Sequence, residues 1–166
     1  SLVSLDPLSR QWGTPVAVPA RDYALAGLCL YRDEAANLHL FLLGEDGQGE
    51  QWLVGSGTQL NSQPQRLRGL PTPPGAEYCH VDDAANRLFV NEEGVGLWAY
   101  AAQPEADVAR QPVDLRTPFG GLKDSAGAML SLPGGLLALD PGAARLHLYQ
   151  QQGEAWQAVA SVPLEG

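Results

Sequence analysis

Apolar and polar positions alternate along this chain in short runs with a period of two, and no stretch sustains an apolar stripe of helical period with caps at its ends. With β-branched and aromatic residues in the runs and Gly, Pro and Asp bounding them, the pattern predicts strands and no long helix. The strands fall into groups of four. The first of each group is short, apolar and rich in small residues: Leu25 to Tyr31, Glu77 to Val81, Ala128 to Leu132. The second follows a turn: Leu38 to Leu43, Arg87 to Asn91, Leu136 to Leu139. The third alternates and carries an aromatic: Glu50 to Val54, Gly96 to Tyr100, Arg145 to Tyr149. The fourth precedes a polar or Pro-containing connection: Gln65 to Leu70, Ala109 to Leu115, Trp156 to Val162.

The grouping is an internal repeat. Ala26-Gly27-Leu28-Cys29-Leu30-Tyr31-Arg32-Asp33 lies over Ala76-Glu77-Tyr78-Cys79-His80-Val81-Asp82-Asp83 at an offset of 50, and Leu38-His39-Leu40 then falls on Leu88-Phe89-Val90. A worn third copy runs from Gly127 through the shortened turn Pro133-Gly134-Gly135 into Leu136 to Asp140. Four strands in a unit of this length predict a β-propeller blade. The expected fold class is therefore all-β, a partial β-propeller of about three four-stranded antiparallel blades. A single sandwich of similar strands is the competing arrangement and requires no repeat. Leu2 to Leu5 and Thr14 to Val18, around the turn Asp6-Pro7-Leu8-Ser9, read as the last two strands of a preceding blade. The expected organisation is one domain: residues 1–20 from that blade, then blades at 21–71, 72–116 and 117–166, the last degenerate. An open half-ring leaves two bare apolar blade faces, to be covered by a second copy or by an adjacent propeller domain.

Charge narrows the function classes. With 10 Lys and Arg against 19 Asp and Glu, the net charge of −9 offers no basic stripe for phosphate backbones or anionic membranes. Hydrophobic residues at 45% and charged ones at 17% are a globular composition. No apolar run reaches the roughly 18 residues of a membrane span, and no signal peptide is visible. The opening Ser1-Leu2-Val3 suggests a processed protein or an excised fragment. The two cysteines, Cys29 and Cys79, read as small buried thiols in equivalent places on neighbouring blades, not as a disulfide framework or a zinc site.

Residues 77–100, Glu77-Tyr78-Cys79-His80-Val81-Asp82-Asp83 through Leu88-Phe89-Val90-Asn91-Glu92-Glu93 to the Trp98 strand, resemble the β-propeller phytases. Gly27-Leu28-Cys29-Leu30-Tyr31, and Gly44-Glu45-Asp46-Gly47 followed by Gln51-Trp52-Leu53, are similar to a neighbouring blade of that family. The resemblance covers about residues 20–150 and is weak in the third copy. It implies a six-bladed propeller that hydrolyses phytate, with Ca2+ bridging acidic residues and substrate phosphates. It also implies an incomplete propeller preceding a complete catalytic one, in a secreted or periplasmic protein. By the same resemblance, Glu77 and Glu93 sit where the family places calcium-binding or water-activating carboxylates. The candidate calcium set is Glu77, Glu92, Glu93 and Asp82, since Ca2+ takes 6–8 oxygen ligands. Each has a structural alternative, Glu77, Glu92 and Glu93 as solvated turn acids and Asp82, with Asp83, as a hairpin turn; Asp46-Gly47 likewise reads as a hairpin turn.

Departures from the family point away from catalysis by this chain alone. Ala26 stands where active members carry a phosphate-binding Tyr, and Glu45 where they carry a Lys, which reverses the charge beside a phosphate. His39 and His147 alternate with leucines and read as strand-surface residues. Cys79 and His80 point to opposite faces and make no nucleophile pair. Trp52, Trp98 and Trp156 read as packing between blades. The functional expectation is a phytase-like domain, weak or inactive alone, that supports a complete catalytic propeller. The alternatives are a non-enzymatic interaction propeller that dimerises through its open faces, and another propeller hydrolase such as a lactonase, for which half a ring supplies too few ligands.

Overall fold

The computed structural model of the chain describes residues 1–19 and 21–165; the segment ends expected at Ala20 and Gly166 lie outside the described residues. Twelve strands form three four-stranded sheets, each antiparallel with neighbours in chain order. The first sheet holds β1 (Leu25–Arg32), β2 (Asn37–Gly44), β3 (Gln48–Ser56) and β4 (Gln59–Pro71). The second holds β5 (Cys79–Asp82), β6 (Arg87–Glu92), β7 (Gly96–Ala101) and β8 (Gln111–Leu115). The third holds β9 (Met129–Leu132), β10 (Gly135–Asp140), β11 (Arg145–Gln152) and β12 (Ala155–Pro163). All twelve predicted strands are present, and among the described residues there is no helix.

The turns explain why the repeat is legible. At offset 50, Ala36 and Asn86 both adopt left-handed backbone, with φ of 63° and 52°. Each closes its turn by donating its N–H to the carbonyl three residues back, Asp33 or Asp83. Asn tolerates that conformation better than most residues, and Ala carries some strain there. In the β2–β3 turn, Gly47 has φ of 87° and Asp46 Oδ1 accepts from the Gln48 N–H, as a hairpin turn requires.

The sheets stack in chain order through two apolar interfaces. Tyr31, Phe41 and Leu43 of the first sheet meet Leu88, Val90 and Tyr100 of the second. On the opposite side of the second sheet, Phe89, Leu97 and Ala99 meet Leu136, Ala138 and Tyr149 of the third. Adjacent residues of β6 thus point to different neighbours, and the sheet is buried on both faces.

The stacking corrects two expectations. His39 and His147 are not surface residues: they are 2% and 5% exposed. Alternation with leucine predicts a wet face for each, whereas each lies on the face turned to the neighbouring sheet, His39 beside Tyr31 and His147 beside Tyr149. Nor are Cys29 and Cys79 free thiols. They form a disulfide between β1 and β5, with Cα atoms 6.0 Å apart. Stacking sets the first strands of neighbouring sheets side by side, with Cys29 on the face turned to the second sheet and Cys79 on the face turned to the first, so the two come within bonding range.

The N-terminal segment falls short of two strands. It makes two isolated antiparallel bridges, Leu2 with Val16 and Leu5 with Trp12. Pro15 and Pro19 have no N–H to donate, which stops a ladder from extending. The turn at Asp6 forms as expected, its carboxylate accepting from the Leu8 and Ser9 amides. Leu2 and Val18 pack over Leu40, Leu42, Trp52 and Val54 on the outer side of the first sheet.

Candidate functional site

The four carboxylates singled out in the sequence divide between the two ends of one hairpin. β5 and β6 pair antiparallel from Cys79–Val90 at one end to Asp82–Arg87 at the other. Glu77, Glu92 and Glu93 lie beyond or at the first end, while Asp82 sits at the turn. There Asp82 Oδ1 accepts from the Ala85 N–H at 3.0 Å, so the hairpin-turn role of this residue is the one that forms. Glu92 is half-buried and engaged: its Oε2 accepts from Trp98 Nε1 at 2.7 Å and from Arg110 at 3.2 Å. The Arg110 guanidinium lies 3.9 Å above the Trp98 ring, closing a Trp–carboxylate–Arg cluster. Glu77 and Glu93 are exposed at the same end as Glu92. Among the described residues no group of three or more His, Cys, Asp and Glu is gathered to hold a metal ion. The candidate set does not fit a single calcium coordination sphere, and no step is derived through that ion.

The chain entering β5 is positioned by a residue the sequence reading passed over. Asn91 is buried, and its side-chain carbonyl accepts from the Glu77 and Tyr78 amides at 3.1 and 2.8 Å. Standing between Val90 and Glu92 at the end of an apolar run, Asn91 reads as the edge of a strand, and only the pairing of β5 with β6 brings its side chain to these amides.

The first sheet repeats the Trp–carboxylate–Arg cluster. Glu50 accepts from Trp52 Nε1 at 2.9 Å, from Arg21 at 2.6 Å and from Arg66 at 2.9 Å. Burial works to raise the Glu50 pKa, but the Trp52 and Arg66 hydrogen bonds and the Arg21 charge outweigh it and hold the carboxyl below its ordinary range. Glu and Trp two residues apart on one strand face carried this signal in the sequence.

A cavity of about 520 Å³ opens beside the β1–β2 turn, lined by Tyr31, Asp33, Glu34, His39, Asn86 and Glu105 among others. At its floor His39 Nε2 lies 3.1 Å from Asp33 Oδ2, and its other ring nitrogen lies 3.3 Å from Gln51 Nε2. Tyr31 donates its hydroxyl to Asn86 Oδ1. Burial and the nearby carboxylates push the Tyr31 pKa up, Asp33 first among those charges. Burial pushes the Asp33 pKa up, while hydrogen bonds from Asn37 and His39 outweigh it and leave the carboxyl below its ordinary value. Three carboxylates and no Lys or Arg line the cavity. Its field repels phosphate and favours neutral or cationic groups.

Of the tryptophans, Trp98 packs against the first interface and Trp156 against the second, where its ring meets Phe89 edge-on at 5.3 Å. Trp52 packs instead under the N-terminal segment. Cys79 and His80 do point to opposite neighbours: Cys79 to Cys29, and His80 to Ser131.

In sequence comparison the chain matches no protein-family model and no curated protein.

Proposed function

We propose that this chain is a partial β-propeller of the phytase-like kind, weak or silent as a phosphatase alone, that works by packing against a complete catalytic propeller. The reading rests on a fifty-residue unit, repeated as four-stranded sheets, whose second copy carries the phytase-like run 77–100. The observation that carries the catalytic part is the fate of the candidate acids. Asp82 serves its turn, Glu92 is neutralised by Arg110, and Glu77 with Glu93 are left as an exposed pair at one end of the hairpin. A pair of exposed carboxylates falls well short of the 6–8 oxygen ligands that Ca2+ takes. The acidic cavity is also of the wrong sign for a phosphate ester. The Cys29–Cys79 disulfide supports an oxidising, secreted or periplasmic setting.

The test is phosphate release from phytate by the purified chain, with Ca2+ and with chelator. The expected result is release at the background rate in both. Calcium-dependent turnover that Glu93→Gln abolishes would overturn the proposal.

A further inference from the structure

The side of the third sheet turned away from the second is lined by leucines on three of its strands, with Gln150 and Gln152 at one end of β11. Leu136, Ala138 and Tyr149 face the second sheet. By alternation, Leu130, Leu132, Leu137, Leu139, Leu146 and Leu148 face outward, registered across the strands as Leu130–Leu137–Leu148 and Leu139–Leu146. No charged side chain of β9, β10 or β11 lies on this face, although Leu130 and Leu132 are 56% and 37% exposed. An antiparallel sheet with one face in water carries polar residues there. This one has the composition of a face that meets another sheet.

The opposite end of the stack shows the matching half. The outer side of the first sheet is covered by Leu2 and Val18 over β2 and β3, but Leu28 and Leu30 of β1 stay bare at 60% and 49% exposure. Within the chain the trailing face of one sheet packs on the leading face of the next, and this happens twice. Two faces are left: the trailing face of the third sheet and the inner part of the leading face of the first.

We infer that the leucine face of the third sheet is covered by the first sheet of a second copy of this chain, head to tail, and that two copies close into a ring of six sheets. The contact keeps the order of the internal interfaces, trailing face on leading face, but meets the first sheet at β1, since Leu2 and Val18 already cover β2 and β3. Each copy contributes one of each free face, so a two-fold ring leaves neither exposed. Six radial sheets fall within the roughly 4–8 blades of closed propellers. The inference rests on the propeller arrangement proposed above and not on the phytase resemblance, and under it the closed ring, not a bare sheet face, is what packs against the catalytic propeller.

Light scattering on the eluting protein, at micromolar concentrations, reads it directly. The wild-type chain is expected at twice its 17.7 kDa. Leu130→Asp and Leu30→Asp, both at exposed positions, are each expected to run at the single-chain mass with an unchanged far-ultraviolet spectrum. Mixing the two variants is expected to restore the double mass, because one keeps an intact leading face and the other an intact trailing face. A wild-type monomer would overturn the inference, and would point to another domain as the cover. A Leu30→Asp variant that still pairs would overturn it in favour of two leucine faces meeting each other. Phytate hydrolysis is scored separately and does not move these masses.

Discussion

The two internal interfaces are equally apolar but differently tied. Between the first and second sheets lies a covalent bond, Cys29–Cys79. Around it, Arg68 donates to the Ala101 and Ala106 carbonyls at 2.9 Å each, and Gln51 donates to the Ala102 carbonyl at 2.8 Å. Between the second and third sheets the ties are non-covalent and join unlike residues: the Tyr149 hydroxyl donates to Asp114 at 2.7 Å, and His80 pairs with Ser131. The two cysteines meet because Cys29 lies across from Phe41 on the side turned to the second sheet and Cys79 across from Val90 on the side turned to the first. The third copy carries no cysteine, and its ties run through Ser131 and Tyr149 instead.

The largest test of this contrast removes the covalent tie. The disulfide closes a loop of 50 residues. Chain-entropy arithmetic for such a loop gives about 4 kcal/mol, and measured values are commonly smaller. Replacing both cysteines by Ala is expected to lower the urea midpoint by the equivalent of about 2–4 kcal/mol and to raise amide exchange in β1 and β5 before β9 to β12. An unchanged midpoint would show that apolar packing alone holds the first interface, and the contrast would collapse.

Tyr149→Phe probes the other side at smaller cost. The hydroxyl is buried, its pKa pushed upward by burial and then by Asp114. Its loss leaves Asp114 Oδ1 still accepting from the Leu115 and Gly121 amides, at 2.8 and 2.9 Å. The carboxylate is therefore not stranded, and a cost of about 1–2 kcal/mol is expected in urea unfolding. A loss above that of the disulfide would reverse the ranking of the two interfaces.

The strands were readable because their alternation is local and their turns use Asp, Asn and Gly at fixed places, as at Asp46-Gly47 and Asn86. The partners of individual side chains were not. His39 and His147 look like strand-surface residues until the stacking of the sheets is known, and each then proves to sit beside an Asp, Asp33 and Asp140. The disulfide was not legible in the repeat offset, because structurally equal places in two stacked copies face the same way. Reading it required knowing that the first strands of successive sheets run side by side, which is tertiary information. Glu92 looked like a free turn acid because Arg110, its partner, is 18 residues away in another strand-to-strand connection.

The smallest expected effect concerns pH and His80. Its Nε2 accepts from the Ser131 N–H at 3.0 Å and lies 2.6 Å from the Ser131 hydroxyl. Protonating that nitrogen sets two donors against each other. Burial holds the His80 pKa below its ordinary 6.5, with Asp82 and Asp83 pulling weakly the other way. A base whose folded pKa is depressed binds fewer protons folded than unfolded, so its contribution is whole above the unfolded pKa and declines as pH falls from about 6.5 toward the folded value. The carboxylates of Asp33 and Glu50, both held below their ordinary values of 3.8 and 4.5, lose their contributions in a more acid window. Urea midpoints measured from pH 7 to pH 5 are expected to fall in the wild type and to flatten in His80→Gln. The change should track exchange at β5 and β9 and leave β1 to β4 unmoved. If His80→Gln keeps the wild-type slope, the second interface is not what acid loosens, and its ties are as insensitive to pH as the disulfide on the other side.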